Sequence, residues 1–301
     1  MIFGIYKRIY WTLACFLLIG IAVYGLNRWN NRLTDGFSLD AITAPLTVDA
    51  SYAIASLSLK EQQNIDTILK QPFTYLAKGT QSFVFVSQDG QYVLKFFKQK
   101  HLRLPWYCSI LSRVPLIAGY FNRKIERREL KRNKIYSGCK LAYDQMQADT
   151  GVVYLHLTPS SHLPHPITLI DKRGMQQEAD PNTLAFFIQK QGVPLYQALD
   201  RYRIHHDVEG AQQALSKLFD YLVDRSKRGI LDRDPAYPQN LGFIGDRAGN
   251  LDVGNLTTDP LIRNPVEYKR RIQEHLVDLR AWLLVNFPEL MTTYDNTLNA
   301  L

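Results

Sequence analysis

The sequence predicts an α+β fold behind an N-terminal apolar helix. Three observations predict it. Strand-type runs gather in the first half, at residues 83–86, 92–97, 152–157, 167–170 and 183–189. Helical periods fill the second half, at 195–204, 208–228 and 265–286. Strands come first and helices after, so the order is not the alternation that builds a parallel βαβ sheet.

The elements follow in chain order. Residues 9–26 pass eighteen positions without a charge, just long enough to span hydrocarbon as a helix. Lys7 and Arg8 precede the run, Arg28 and Arg32 follow it, and Tyr10, Trp11, Tyr24 and Trp29 sit near its ends as interfacial anchors do. The alternative is a cleaved signal peptide, but Tyr24-Gly25-Leu26-Asn27 offers no small-x-small cleavage site. Two Lys/Arg stand on each side, and the free amino terminus tips the balance only slightly towards N-inside, which would put the remaining chain outside the cytoplasm. The expected organisation is a membrane anchor over 1–29 and a polar juxtamembrane linker over 30–70. Within the linker, Ser58 and Glu61 mark the capped start of a short helix over 59–69.

A sheet-bearing unit then spans 71–192. Residues 75–80, 83–86 and 92–97 read as an antiparallel meander, with Asp89-Gly90 as a hairpin turn. A basic, partly apolar insert covers 99–120. Beyond it Phe121, Ile125, Arg128, Arg132, Ile135, Cys139, Ala142 and Met146 alternate by four and three and so share one helix face. A reduced helical unit covers 193–301, and its last helix has Asn264 as cap and Pro265 at the first position.

Composition bounds the function. The 301 residues suit one large domain or two modest ones. With 46% hydrophobic and 21% charged residues, general disorder is excluded. Cys15, Cys108 and Cys139 have no Cys-x-x-Cys spacing, which argues against a disulfide framework or a cysteine zinc site. No Gly-x-Ser-x-Gly element supports a serine hydrolase. His205 and His206 point apart on a helix and, with His162 and His165, read as surface residues. The net charge of +8 is local: residues 91–140 hold thirteen Lys/Arg against two Glu, and the remainder sums to −3. A solvated helix face, contact with an anionic membrane surface and nucleic-acid binding all fit that block. Nucleic acid is the least favoured partner, because no recognised nucleic-acid motif accompanies it.

One constellation carries chemistry. Asp232-Arg233-Asp234 is followed by Pro238-Gln239-Asn240 and then by Asp252-Val253-Gly254. A phosphate-transfer site needs oxygen ligands for Mg²⁺, a carboxylate near the acceptor hydroxyl and a cation on the donor phosphates. Asn240 and Asp252, Asp234, and Lys95 supply one candidate set for these tasks.

These residues resemble the protein-kinase-like superfamily. Asp232-Arg233-Asp234 is similar to the catalytic-loop triplet His-Arg-Asp, and Asp252-Val253-Gly254 to the metal-binding Asp-Phe-Gly, twelve residues beyond Asn240. Val93-Leu94-Lys95 resembles the strand with the phosphate-binding Lys, and residues 76–84 resemble the glycine-rich loop around Gly79. The resemblance covers about 72–286, with the motifs in family order. It implies a two-lobed fold, an antiparallel sheet plus helix above and a short helical lobe below. It further implies ATP and Mg²⁺ as cofactors, with Lys95 and Gly79 on the nucleotide, and Asn240 and Asp252 on the metal. Asp234 would orient the acceptor, and Glu129, or else Glu126, would pair with Lys95. ATP use places the soluble part in the cytoplasm, with the opposite orientation as the alternative.

The departures bear on activity. Ala77 and Ser82 replace two glycines of the loop, and the step from Asp234 to Asn240 is one residue longer than usual. No Ala-Pro-Glu follows, and only 47 residues remain after Gly254. The closer likeness is to small atypical kinases of lipopolysaccharide sugars or aminoglycosides. The acceptor is then a membrane-associated glycan, lipid or protein. A catalytically inactive pseudokinase, tethered as a binding module, is the alternative.

Overall fold

A computed structural model of the chain describes residues 2–43, 46–47, 49–99, 102–234 and 237–301. Helix α1 (Ile2–Leu33) runs unbroken for 32 residues. Its segment Leu13–Leu33 has mean hydropathy 1.3 and is not buried against the protein, so it is long and apolar enough to cross a membrane. At 1.5 Å per residue such a segment measures about 31 Å, close to the hydrocarbon thickness of a bilayer. The helix ends where Asp35 and Gly36 turn to positive φ, 54° and 80°.

The stretch expected as a linker docks on the sheet instead. Helix α2 (Leu39–Ile42) buries Ile42, and Phe37 is buried with its ring 4.9 Å from Phe85 and 5.5 Å from Phe83. Asp35 accepts from Tyr75 Oη at 3.1 Å and from Lys172 Nζ at 2.9 Å. Helix α3 (Leu59–Leu69) starts at the expected capping box of Ser58 and Glu61 and buries Ile65, Ile68 and Leu69.

Alternating burial builds the sheet, because successive strand side chains point to opposite faces. Its strands are β1 (Phe73–Lys78), β2 (Ser82–Ser87), β3 (Tyr92–Phe97), β4 (Val152–His156), β5 (Ile167–Ile170), β6 (Gln176–Ala179) and β7 (Phe186–Lys190). They lie in the order β4-β7-β3-β2-β1-β5-β6, and β1 with β5 is the parallel pair in this sheet. The expected meander is β1-β2-β3. Between β3 and β4 the chain forms α4 (Trp106–Leu111), α5 (Pro115–Gln145) and α6 (Gln147–Thr150). One face of the sheet packs under α3, burying Phe85, Leu94, Phe96, Phe186 and Ile188. The other face meets the end of α5, burying Phe97 and Phe187 with Ile135, Cys139 and Ala142.

The second half begins with β8 (Val193–Pro194), α7 (Leu195–Ile204) and α8 (Val208–Lys227). Short strands β9 (Ile230–Asp232), β10 (Leu241–Ile244), β11 (Arg247–Asn250) and β12 (Leu256–Thr258) flank the segments that hold Asp234, Asn240 and Asp252. They pair as β11-β10-β8 and β12-β9. The helix expected over 265–286 is two helices, α9 (Pro265–His275) and α10 (Val277–Asn286), before α11 (Met291–Ala300). The break at Leu276 buries that side chain completely, and its carbonyl accepts both from Arg280 N–H at 2.9 Å and from Tyr294 Oη at 3.2 Å. The class is α+β: a seven-stranded sheet with its helices, then a mainly helical half.

Candidate functional site

Lys95 is placed by strand periodicity. It pairs with Val84 on β2 and Phe187 on β7, and it shares a face with Phe97 rather than with Leu94 and Phe96. That face looks towards α5 and the second half. There Nζ donates to the Leu251 carbonyl at 2.7 Å, 156 residues away in sequence, and stands 5.6 Å from the Phe187 ring centroid. Gln189, on the same side of β7 as Phe187, donates to that carbonyl at 3.2 Å and to Thr150 O at 2.6 Å. Desolvation pulls the Lys95 ammonium below the usual lysine range, and the Asp252 carboxylate works against the fall. Lys95 thus reaches across the junction of the two halves to the residue before Asp252.

A buried hydrogen-bonded floor holds the acidic segment. Asp232 accepts from the Asp234 backbone N–H at 2.9 Å, from Asn250 Nδ2 at 3.0 Å and from Asn240 Nδ2 at 3.3 Å. Asn250 Oδ1 in turn accepts from Tyr221 Oη at 2.5 Å and Arg225 Nη1 at 2.7 Å. Burial raises the Asp232 carboxyl above its ordinary value, in opposition to these donors. Asp234 is half-buried, and its Oδ2 accepts from Asn255 Nδ2 at 2.7 Å. Pro235 and Ala236, inside the catalytic-loop-like stretch, lie outside the described residues.

Asp252 is exposed, and its Oδ1 accepts from Gly254 N–H at 3.1 Å. With Asn240 it offers oxygen atoms only. Among the described residues no three His, Cys, Asp or Glu side chains gather closely enough to hold a metal. Two protein oxygens fit Mg²⁺, which usually takes one or two protein carboxylates and completes its shell with phosphates and water.

The turn between β1 and β2 reaches the same place. Gly79 N–H donates to Ser82 O at 2.9 Å, and Lys98 Nζ donates to the Gly79 carbonyl. A Cβ built on Gly254 would lie 2.7 Å from Gln81 Oε1, so the turn rests on the Asp252-Val253-Gly254 segment.

The expected ion pair of Lys95 is not formed. Glu126 and Glu129 are both exposed, whereas the part of α5 next to Lys95 is Cys139. Cys139 lies ten residues further along the helix than Glu129, about 15 Å at helical rise. The reason is where α5 makes its close approach. A Cβ on Gly138 would stand 2.6 Å from Val253 O and 3.0 Å from Gly254 O, so the backbones touch there and not at Glu129. Burial raises the Cys139 thiol pKa, so it offers Lys95 no countercharge.

The structure therefore brings together Lys95, Gly79's turn, Asp234, Asn240 and Asp252, and leaves Glu126 and Glu129 outside. Gln189, Asn250, Asn255 and Cys139 were not foreseen as neighbours of the site.

No family model matches this sequence, and no curated protein does. Among solved structures the chain is similar to WbdD, a bifunctional kinase-methyltransferase, at 16% identity and TM-score 0.37, over 76% of this chain and 46% of that one. It is similar to Rv3197 from Mycobacterium tuberculosis, solved with erythromycin, at 16% identity and TM-score 0.31, over 77% and 60%. It is also similar to APH(2'')-IIa, solved with streptomycin and ATP, at 11% identity and TM-score 0.32, over 82% and 98%. The chain spans less than half the length of WbdD.

Proposed function

We propose that this chain is a membrane-anchored, kinase-like phosphotransferase that moves phosphate from Mg-ATP to a hydroxyl of a membrane-associated glycan, lipid or protein. One observation carries the reading. Lys95 from the sheet donates to the carbonyl of Leu251, the residue before Asp252, and feels the Asp252 carboxylate, beside the floor that holds Asp234 and Asn240. A cation facing a metal-type carboxylate is what a donor phosphate chain requires on its two sides. In the reaction, the acceptor oxygen bonds to the terminal phosphorus as the bond to ADP breaks, and Asp234 takes the hydroxyl proton. Mg²⁺, held by Asn240 and Asp252, would neutralise phosphate charge. Lys95 exchanges its carbonyl partner for phosphate oxygens.

Mg-ATP is expected to raise the melting temperature of the detergent-solubilised full chain, and Asp252→Ala to remove the shift with the fold intact by circular dichroism. No shift with any nucleotide, with or without metal, sinks the reading.

The second reading is a pseudokinase. The Lys95–Leu251 bond, together with a neutral thiol where a carboxylate was expected, favours it. Topology is a further discriminator. We place the soluble part in the cytoplasm, where ATP is available, so a reporter fused after Leu301 is expected to be active only as a cytoplasmic fusion. A C-terminus outside the cytoplasm removes the kinase reading in its simplest form.

A further inference from the structure

Beyond α1, exposed apolar side chains concentrate on α4 and the first turns of α5. Trp106, Ile110, Leu116 and Tyr120 are 78%, 56%, 96% and 60% exposed. Such a patch on a soluble surface marks a contact site. The patch is ordered. Trp106, Tyr107, Phe121 and Tyr120 meet edge to face in sequence, with centroids 6.1, 6.4 and 5.1 Å apart, and Lys124 Nζ stands 5.5 Å from the Tyr107 centroid.

The helical period extends the patch. Leu116, Tyr120, Arg123, Arg127, Lys131 and Lys134 are all exposed, and at 100° per residue they fall within roughly one 100° sector of α5. This face is apolar at the helix start and basic beyond it. Glu126 and Glu129 fall outside the sector. The root of the patch is tied to the chain just past α1. Arg103 forms a two-bond ion pair with Asp40, at 2.8 and 2.9 Å, and Asp40 follows the end of α1 by seven residues. Seven residues span at most about 25 Å.

We propose that α4 and this face of α5 form a second membrane contact, seated on the anionic leaflet of the bilayer that α1 crosses. The proposal rests on α1 as an anchor and not on phosphate transfer. Apolar side chains enter the boundary between headgroups and acyl chains, and the basic residues meet lipid phosphates. Each Lys or Arg near an anionic surface favours adsorption by roughly fivefold. Helix α5 then links the membrane surface to Gly138 and Cys139 beside Lys95, which sets the cleft at a fixed height above the lipid.

The test uses the full chain with Trp11→Phe and Trp29→Phe, in nanodiscs of brominated lipid with or without phosphatidylserine. Trp106 fluorescence is expected to be quenched strongly in the phosphatidylserine discs and weakly in neutral ones. Trp106→Phe should remove the quenched component, leaving Trp282. Arg123→Glu, Arg127→Glu and Lys131→Glu together should relieve the quenching by on the order of 100-fold in docked-to-free ratio, while α1 keeps the chain in the disc. Absence of Trp106 quenching in both lipids, or quenching indifferent to lipid charge, overturns the proposal. So does pairing of loaded discs through this face. A chain that never enters the discs sinks the anchor reading instead, and is recognised at the incorporation step.

Discussion

Asp234→Asn is expected to lower Mg-ATP turnover by about 10²–10⁴-fold, the range for removing a general base, while nucleotide binding stays unchanged. The substitution is nearly isosteric. The Asp234 N–H still donates to Asp232 Oδ1, 2.9 Å away, and an Asn Oδ1 can still accept from Asn255 Nδ2, now at 2.7 Å. What is lost is the capacity to take a proton. Asp232 is a poor rival for the role, because it is buried and already accepts from three donors. The acceptor being unidentified, ADP release by the full chain is the measurement, with water or the protein's own hydroxyls receiving the phosphate. Equal turnover in the wild type and the variant removes Asp234 from the mechanism. Nucleotide binding without turnover in either protein, also in the presence of membrane extract as a source of acceptor, favours the pseudokinase reading.

What was legible in the sequence is what local rules encode. Strand β3 could be read because Val93, Leu94, Phe96 and Phe97 bracket Lys95 with apolar residues between turn residues. Helix α3 was legible from its capping box, and α7 from its period. Strand β6 was not legible, because Gln176, Gln177 and Glu178 at the sheet edge carry no apolar alternation. The docking of Phe37 and Ile42 also escaped, since a short polar segment looks the same whether it covers a sheet or hangs free. The site shows the same division. Asp234, Asn240 and Asp252 could be found by motif order, but the partner of Lys95 could not. The four-three period of α5 continues from 121 to 146 in sequence, with Arg128 and Arg132 among its apolar positions, yet only the end from Ile135 onwards is buried. Nothing local marks where a long helix begins to touch the core, so Glu129 looked better placed than it is.

That close approach leads to an opposed pair of expectations for two glycines in α5. By helix propensity alone, Gly119→Ala and Gly138→Ala should each stabilise, by up to about 1 kcal/mol. The surroundings separate them. At Gly119 the nearest foreign atom to a new Cβ is the mobile guanidinium of Arg123, 3.9 Å away, so the gain should be realised. At Gly138 the new atom meets backbone, Val253 O at 2.6 Å and Gly254 C and O at 3.0 Å, and neither can swing aside as a side chain end does. Overpacking of this kind costs roughly 1–3 kcal/mol, which outweighs the propensity gain. Relief requires residues 253–254 to move, and Asp252 moves with them. Gly138→Ala should therefore lower the melting temperature in detergent and shrink the Mg-ATP-dependent shift, while Gly119→Ala raises the first and leaves the second alone. Equal stabilisation by both would mean that α5 does not touch the Asp252 segment. The position of Lys95 relative to Asp252 would then need another support than the Gly138 contact.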